Sequence, residues 1–320
     1  AKAIFVALNS EINKKKFSTK VFYINRNGKW FDSKDSLLIL ENSKDIDNFI
    51  ANSLFENIKI FENIDCKDID IWFPIIHGAY GEDGSIQGLL NLLKIPYTHS
   101  GVATSAIAMN KINFKRIITS ATQYSDDPIH FPKTLDLKNN GKFYEVDYDG
   151  KFVIKPIKGG SSVGVNIVYG GEKIPQKNIL IHEELMAEIF VGSIELTVTV
   201  LKDNPLCVTE ITTDNEKEFY NYNAKYDENG SFHKIPADIP KIIYDKAMSW
   251  ALRAHQIIGC KGISRTDFRY DAKEKKLYML ELNTQPGMTH TSLSPEQASY
   301  CGLGLKDIIK IILEEACHEW

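Results

Sequence analysis

The sequence predicts a mixed fold, α/β in its first part and α+β in the remainder. Residues 69–76 (IDIWFPII) form a nearly continuous apolar run that leads into a Gly-rich turn and then a helical pattern, the order of an α/β unit with a strand buried on both faces. Residues 195–202 (ELTVTVLK) alternate cleanly, and two strands over 262–270 and 276–283 are joined by a charged turn, which marks a sheet-rich second part. The composition, 43% hydrophobic and 25% charged over 320 residues, is globular and long enough for two or three domains.

The elements follow in order. Residues 1–8 (AKAIFVAL) suit a helix; their apolar core is short and lacks the small-residue cleavage site of an export signal. A strand is expected over 19–24 (TKVFYI), with Asn27-Gly28 as a hairpin turn before Lys29-Trp30-Phe31, and a helix over 45–55. After the 69–76 strand comes His77-Gly78-Ala79-Tyr80-Gly81-Glu82-Asp83-Gly84, then a helix over 85–93. Residues 104–121 read as one or two helices, 151–155 as a strand, 156–164 (PIKGGSSVG) as a small-residue loop and 165–168 as the next strand. Sheet content rises after Leu180, with a strand over 206–212 following Asn204-Pro205. A long helix covers 240–258 and an amphipathic one 305–317, while 213–230 is a polar, flexible stretch.

Several classes are excluded. The formal net charge of -4 offers no bulk basic face for nucleic acid. No apolar run approaches the roughly 18 residues a membrane-spanning helix needs. Five widely spaced cysteines without a C-x-x-C argue against a disulfide framework or structural zinc and for a reducing compartment.

Four clusters carry chemistry. Arg265 and Asp267 are two apart on one strand, and Glu281 and Asn283 are two apart on the next, so each pair shares a face. Brought together, Asp267, Glu281 and Asn283 offer oxygen-only ligands suited to Mg²⁺, with Arg265 beside them for a phosphate or oxyanion; a solvated hairpin face with a salt bridge is the alternative. Thr284-Gln285-Pro286-Gly287-Met288 follows at once, and Gly287 lets a backbone N–H approach a substrate closely. Lys155 ends a strand before the Gly159-Gly160-Ser161-Ser162-Val163-Gly164 loop, which can fold over phosphates without being a Walker A loop; a structural turn fits equally. His77 either contacts an anionic substrate or is a structural histidine, and Glu82-Asp83 can serve the dipole of the following helix. The stretch from Glu188 to Glu195 (EIFVGSIE) is compatible with a pocket for adenine and ribose.

Together HGAYGEDGSIQG, KPIKGGSSVGV, the RTD strand and LELNTQPGMTHTSL resemble the D-alanine–D-alanine ligases, over about residues 65–320. That resemblance implies an ATP-grasp fold preceded by an α/β (Rossmann-like, pre-ATP-grasp) domain. The implied division is 1–99 for the N-terminal substrate domain, 100–187 for the central subdomain and 188–320 for the C-terminal one. It implies ATP and two Mg²⁺ ions, with Mn²⁺ as an alternative, and a cytoplasmic homodimer acting on D-alanine in peptidoglycan synthesis, with neither nucleic acid nor membrane as partner. By the same resemblance, Lys111 and Lys155 hold the ATP phosphates, with Ser161, Ser162 and Val163 in the phosphate loop. Glu188, Phe190 and Val191 meet adenine, and Glu195 the ribose. Asp267, Glu281 and Asn283 bind the metals, and Arg265 with the Gly287 N–H forms the oxyanion site. His77 faces the first D-alanine, Ser292 and Leu293 the second, and Lys225-Tyr226 lies in a closing loop that brings Tyr226 near Ser161.

Two departures stand out. The family opens with a strand, a Gly-rich loop and a substrate-binding Glu, whereas this sequence opens at what reads as the following helix; Glu11 does not match that Glu, and the missing part is expected to lie outside the sequence. Gly159 stands where some relatives carry an acidic residue. Two alternatives remain at this level: ligation of D-alanine to D-lactate or D-serine, against which Lys225-Tyr226 speaks, and a nucleotide-binding protein that has lost catalysis.

Overall fold

In the computed structural model, residues 2–10, 17–24, 30–31, 33–41, 69–139, 141–160, 163–172, 174–175, 184–212, 232–289 and 291–317 are described. The centre is a five-stranded antiparallel sheet of β10 (Ile194–Leu201), β11 (Asn204–Thr212), β12 (Phe232–Lys234), β13 (Ile263–Asp271) and β14 (Lys276–Asn283), in the order β12-β11-β10-β13-β14. The long helix Lys241–Ile257 packs on β10, β11, β13 and β14. It buries Ile243, Ala247, Trp250, Ala251 and Ala254, a helical face, against Leu196, Val198, Phe268 and Met279. Gly259, at φ 73°, ends it in the left-handed conformation, and Cys260 N–H returns to His255 O at 2.8 Å.

A second unit precedes it. β3 (Thr134–Leu135), β6 (Phe152–Pro156), β7 (Asn166–Val168) and β9 (Leu185–Ile189) form a four-stranded antiparallel sheet in the order β3-β9-β6-β7. β4 (Leu137–Asn139), β5 (Phe143–Val146) and β8 (Ile174–Pro175) form a small three-stranded sheet. Phe152, Ile154, Val168 and Ala187 make their shared core. Two helices, Val102–Met109 and Lys111–Thr122, resolve the 104–121 pattern into a pair, broken at Asn110, whose side chain caps the second helix by accepting Asn113 N–H at 3.0 Å.

The first part departs most from expectation. The hairpin is present as β1 (Tyr23–Ile24) against β2 (Trp30–Phe31), shorter than expected. A helix at Ser33–Glu41 was not anticipated, and the helix expected over 45–55 lies outside the described residues. Residues 69–76 are extended but form no ladder among the described residues, only a single parallel bridge from Trp72 to Tyr97. Pro74 explains this in part, since it has no N–H to donate. The helix Lys2–Leu8 is as expected, burying Ile4 and Ala7 against Ile308, Ile309 and Ile312 of the last helix, Leu305–Glu314.

Of the cysteines, Cys207, Cys260, Cys301 and Cys317 are free, and burial pushes the Cys207 and Cys260 thiols up to about 12. Such thiols stay protonated and inert, as expected of core residues.

Trp250 is fully buried and its indole N–H donates to Asp127 at 2.6 Å. Trp250→Ala should lower unfolding free energy by about 3–5 kcal/mol in denaturant titration; a loss under about 1 kcal/mol would contradict its place at the centre of the core.

Candidate active site

The strongest sequence cluster is assembled by strand register. Asp267 of β13 stands opposite Glu281 of β14, and Arg265 opposite Asn283, so all four share one face of the sheet. A bulge interrupts the ladder immediately afterwards: Asp267↔Glu281 is followed by Phe268↔Met279, leaving Leu280 as the extra residue. Consequently both Leu280 and Glu281 reach the cleft, while Leu282 and Met279 stay in the core. Arg265 forks onto Asp267, Nε to Oδ1 at 2.9 Å and Nη2 to Oδ2 at 2.8 Å. Thr197 Oγ1 donates to Asp267 Oδ1 at 2.7 Å and Asn283 Nδ2 to Oδ2 at 3.4 Å. Lys111 Nζ lies 3.2 Å from Glu281 Oε2 and donates to Gly159 O at 2.6 Å.

The cleft runs between the two sheets and is lined by Lys111, Lys155, Glu188, Phe190, Val191, Glu195, Asp267 and Glu281, so most of the expected nucleotide and metal residues meet. Lys155 pairs with Glu188 at 2.7 Å, and Lys115 pairs with the other Glu188 oxygen at 2.8 Å. Burial opposes ionisation of Glu188, which is only 4% exposed, but the two lysines outweigh it and hold its carboxyl below the ordinary range. Phe190 has two cations near its ring, Lys151 Nζ 3.9 Å and the Arg269 guanidinium 5.1 Å from the ring centre. Arg269 also meets Glu195, its partner across β10 and β13, at 3.5 Å. Lys115 and Arg269 escaped the sequence reading; their only signal was a cation near an acidic position in the fold, which spacing does not show.

The Gly-rich turn is built by its own carboxylates. Gly78 N–H donates to Glu82 at 2.5 Å, and His77, half exposed, lies 3.9 Å from the same carboxylate. Asp83 accepts the N–H groups of Tyr80 and Ser85, each at 2.9 Å. Burial works against its ionisation, but these backbone donors prevail and lower its pKa. Asp83 thus serves the helix Ser85–Leu92 as expected, whereas Glu82 closes the turn. A side chain at Gly81 would place its Cβ 2.0 Å from Ile76 O, so only glycine fits. A smaller cavity lined by Glu82, Lys111, Gly159, Glu281 and Asn283 joins this turn to the carboxylate face.

Gly287 sits against Ser292, where an added Cβ would lie 2.8 Å from the hydroxyl. Ser292 precedes the helix Leu293–Tyr300, and its Oγ accepts Thr289 N–H at 3.0 Å. The Leu293 side chain packs on Ile211, so toward the cleft this residue has only its backbone to offer. Val163 is exposed, its N–H turned back to Gly160 O at 3.2 Å. Ser161, Ser162, Lys225 and Tyr226 lie outside the described residues, as does the whole of the 213–230 stretch.

A family model described as D-ala D-ala ligase C-terminus matches residues 144–314, and one described as D-ala D-ala ligase N-terminus matches residues 1–100. The chain is 44% identical over 256 residues to the D-alanine–D-alanine ligase of Dinoroseobacter shibae, covering 77% of this chain and 78% of that one. It is 42% identical over 248 residues to the one from Wolbachia pipientis, covering 76% of each. Among solved structures, the Bacillus anthracis D-alanine–D-alanine ligase complexed with ATP matches with TM-score 0.64 and 28% identity over 82% of this chain and 83% of that one. A D-Ala:D-Ser ligase from Enterococcus faecalis matches with TM-score 0.73 over 98% of this chain and 94% of that one; at 23% identity, that likeness is of fold alone. The expected ATP-grasp fold is therefore the observed one.

Glu188 yields a pH dependence with a definite sign. Its pKa is depressed in the folded state, so its stabilisation is present above the ordinary value of 4.5 and is lost as pH falls below it. Acid titration of unfolding free energy should show a steeper loss below about pH 4.5 in the native protein than in Glu188→Gln; parallel curves would remove the ion-pair assignment.

Proposed function

The chain belongs to the D-alanine–D-alanine ligase family, and on that premise we propose that it joins two D-alanine molecules at the expense of ATP, supplying a dipeptide for peptidoglycan. The observation that carries the reading is the carboxylate face Asp267–Glu281–Asn283 opening onto the cleft that holds Lys111, Lys155, Glu188 and Glu195.

That face suits magnesium, or manganese in its place. The donors are all oxygens, and two carboxylates stand directly opposed, an arrangement that repels without cations near. Asp267, Glu281 and Asn283 would hold two ions, whose chemistry is to neutralise charge on the transferring phosphoryl group.

The residues then divide the work. Lys111 and Lys155 cradle the phosphates together with Ser161, Ser162 and Val163. Glu188, Phe190 and Val191 meet the adenine, and Glu195 the ribose. The first D-alanine, held by His77, attacks the γ-phosphorus through its carboxylate, releasing ADP and forming an acylphosphate. The amine of the second, near Ser292 and the Leu293 backbone, attacks that carbonyl. Arg265 and the Gly287 N–H take the negative charge of the tetrahedral intermediate, which collapses with loss of phosphate and a proton. Lys225 and Tyr226, on the closing segment, keep water from the acylphosphate. We carry over from the family a cytoplasmic homodimer.

ADP release with ATP, Mg²⁺ and D-alanine, with product mass read in the presence of D-lactate and D-serine, tests the reading. D-alanine-dependent ADP and the D-alanyl-D-alanine mass are expected; a depsipeptide or no release would refute it. Glu281→Gln should lower kcat by on the order of a thousandfold with an unchanged melting temperature.

A further inference from the structure

The helix Leu293–Tyr300 is seated on the central sheet by polar residues. It buries Ser294 and Gln297 along with Leu293, Pro295 and Ala298. Gln297 is completely buried, and both ends of its amide are engaged. Its Oε1 accepts Thr199 N–H at 2.7 Å, while Nε2 donates to Thr197 O at 3.0 Å and Thr209 Oγ1 at 2.9 Å. The Thr199 N–H needs such a partner. The β10–β11 register passes from Val198↔Val208 to Val200↔Pro205, so Thr199 has no cross-strand mate on that side. A primary amide is the side chain that accepts there and donates twice nearby. Thr199 is tied a second time to the same helix, its Oγ1 2.8 Å from Ser294 Oγ.

The other edge of β10 faces the chemistry. Thr199 stands opposite Arg265 and Thr197 opposite Asp267, and Thr197 Oγ1 bonds the Asp267 carboxylate at 2.7 Å. One amide therefore fixes the helix to the two threonines that back the oxyanion arginine and the metal carboxylate. Ser292 and the Gly287 turn lie at the start of that helix.

We propose that Gln297, with Ser294 and Thr199, is a positioning residue for the acceptor half of the reaction. The amide sets the start of the helix, and with it Ser292 and the Gly287 loop, at a fixed place over Arg265 and Asp267. The amine of the second D-alanine then meets the acyl carbonyl. This rests on the ligase reading above. The nucleotide residues Lys155, Glu188 and Phe190 lie on or next to strands of the other sheet, while Glu195 stands on β10 itself, two residues before Thr197.

The test is steady-state kinetics of Gln297→Met, which keeps volume and removes the amide, and of Ser294→Ala, a milder cut in the same seam. The KM for the second D-alanine should rise about tenfold or more in Gln297→Met and several-fold in Ser294→Ala, with KM for ATP and for the first D-alanine within about twofold of the native values. The ratio of ADP to dipeptide should rise above one, because an acylphosphate without a well-placed amine goes to water; a merely structural residue would not move it. Native protein that releases no ADP with D-alanine removes the ligase reading and this proposal together. Native protein that turns over while both variants keep its second KM and stoichiometry, or lose every parameter in parallel with melting temperature, removes this proposal alone.

Discussion

The register between β13 and β14 is the constraint from which the rest of the site follows. Asp267 faces Glu281 across an antiparallel ladder, and like charges so placed destabilise a sheet unless neighbours compensate. Here the compensation comes from three elements: Arg265 one pleat along the same strand, Lys111 at the start of a helix, and the Thr197 hydroxyl from β10. A slip of one residue in β14 would turn Glu281 and Asn283 into the core and bring Leu282 into the cleft. The apolar face of the two strands thus enforces the polar one.

Burial then sets how the charges behave. Glu188 sits between Lys155 and Lys115 where water is scarce, so removing Glu188 leaves two ammonium groups uncompensated. The Lys155 ammonium is held in one orientation by the Glu188 carboxylate rather than left as a free side chain.

The strands with period-two alternation were legible in the sequence: β10, β13 and β14 fall within a residue or two of their expected bounds, as does the long helix that precedes β13. The face shared by Arg265, Asp267, Glu281 and Asn283 was legible for the same reason. What spacing could not show was the bulge at Leu280, which aims two consecutive residues at one cleft. Arg269 and Lys115 were missed because their partners are distant in sequence. The apolar run at 69–76 is extended but, among the described residues, pairs only through the Trp72–Tyr97 bridge, where Pro74 withholds a ladder donor.

The helix Leu293–Tyr300 was illegible for a further reason. Hydrophobic periodicity finds helices whose inward face is apolar, and this one turns Ser294 and Gln297 inward. Such a face gives up part of the hydrophobic gain that would seat a helix, and takes directional bonds in exchange. Apolar contact tolerates sliding, because it has no preferred register. An amide bound to one N–H and two oxygens does not. Where a helix start has to stand at a set distance from an arginine on another strand, the polar seat is the one that fixes position, and its obscurity in the sequence is a consequence of that choice.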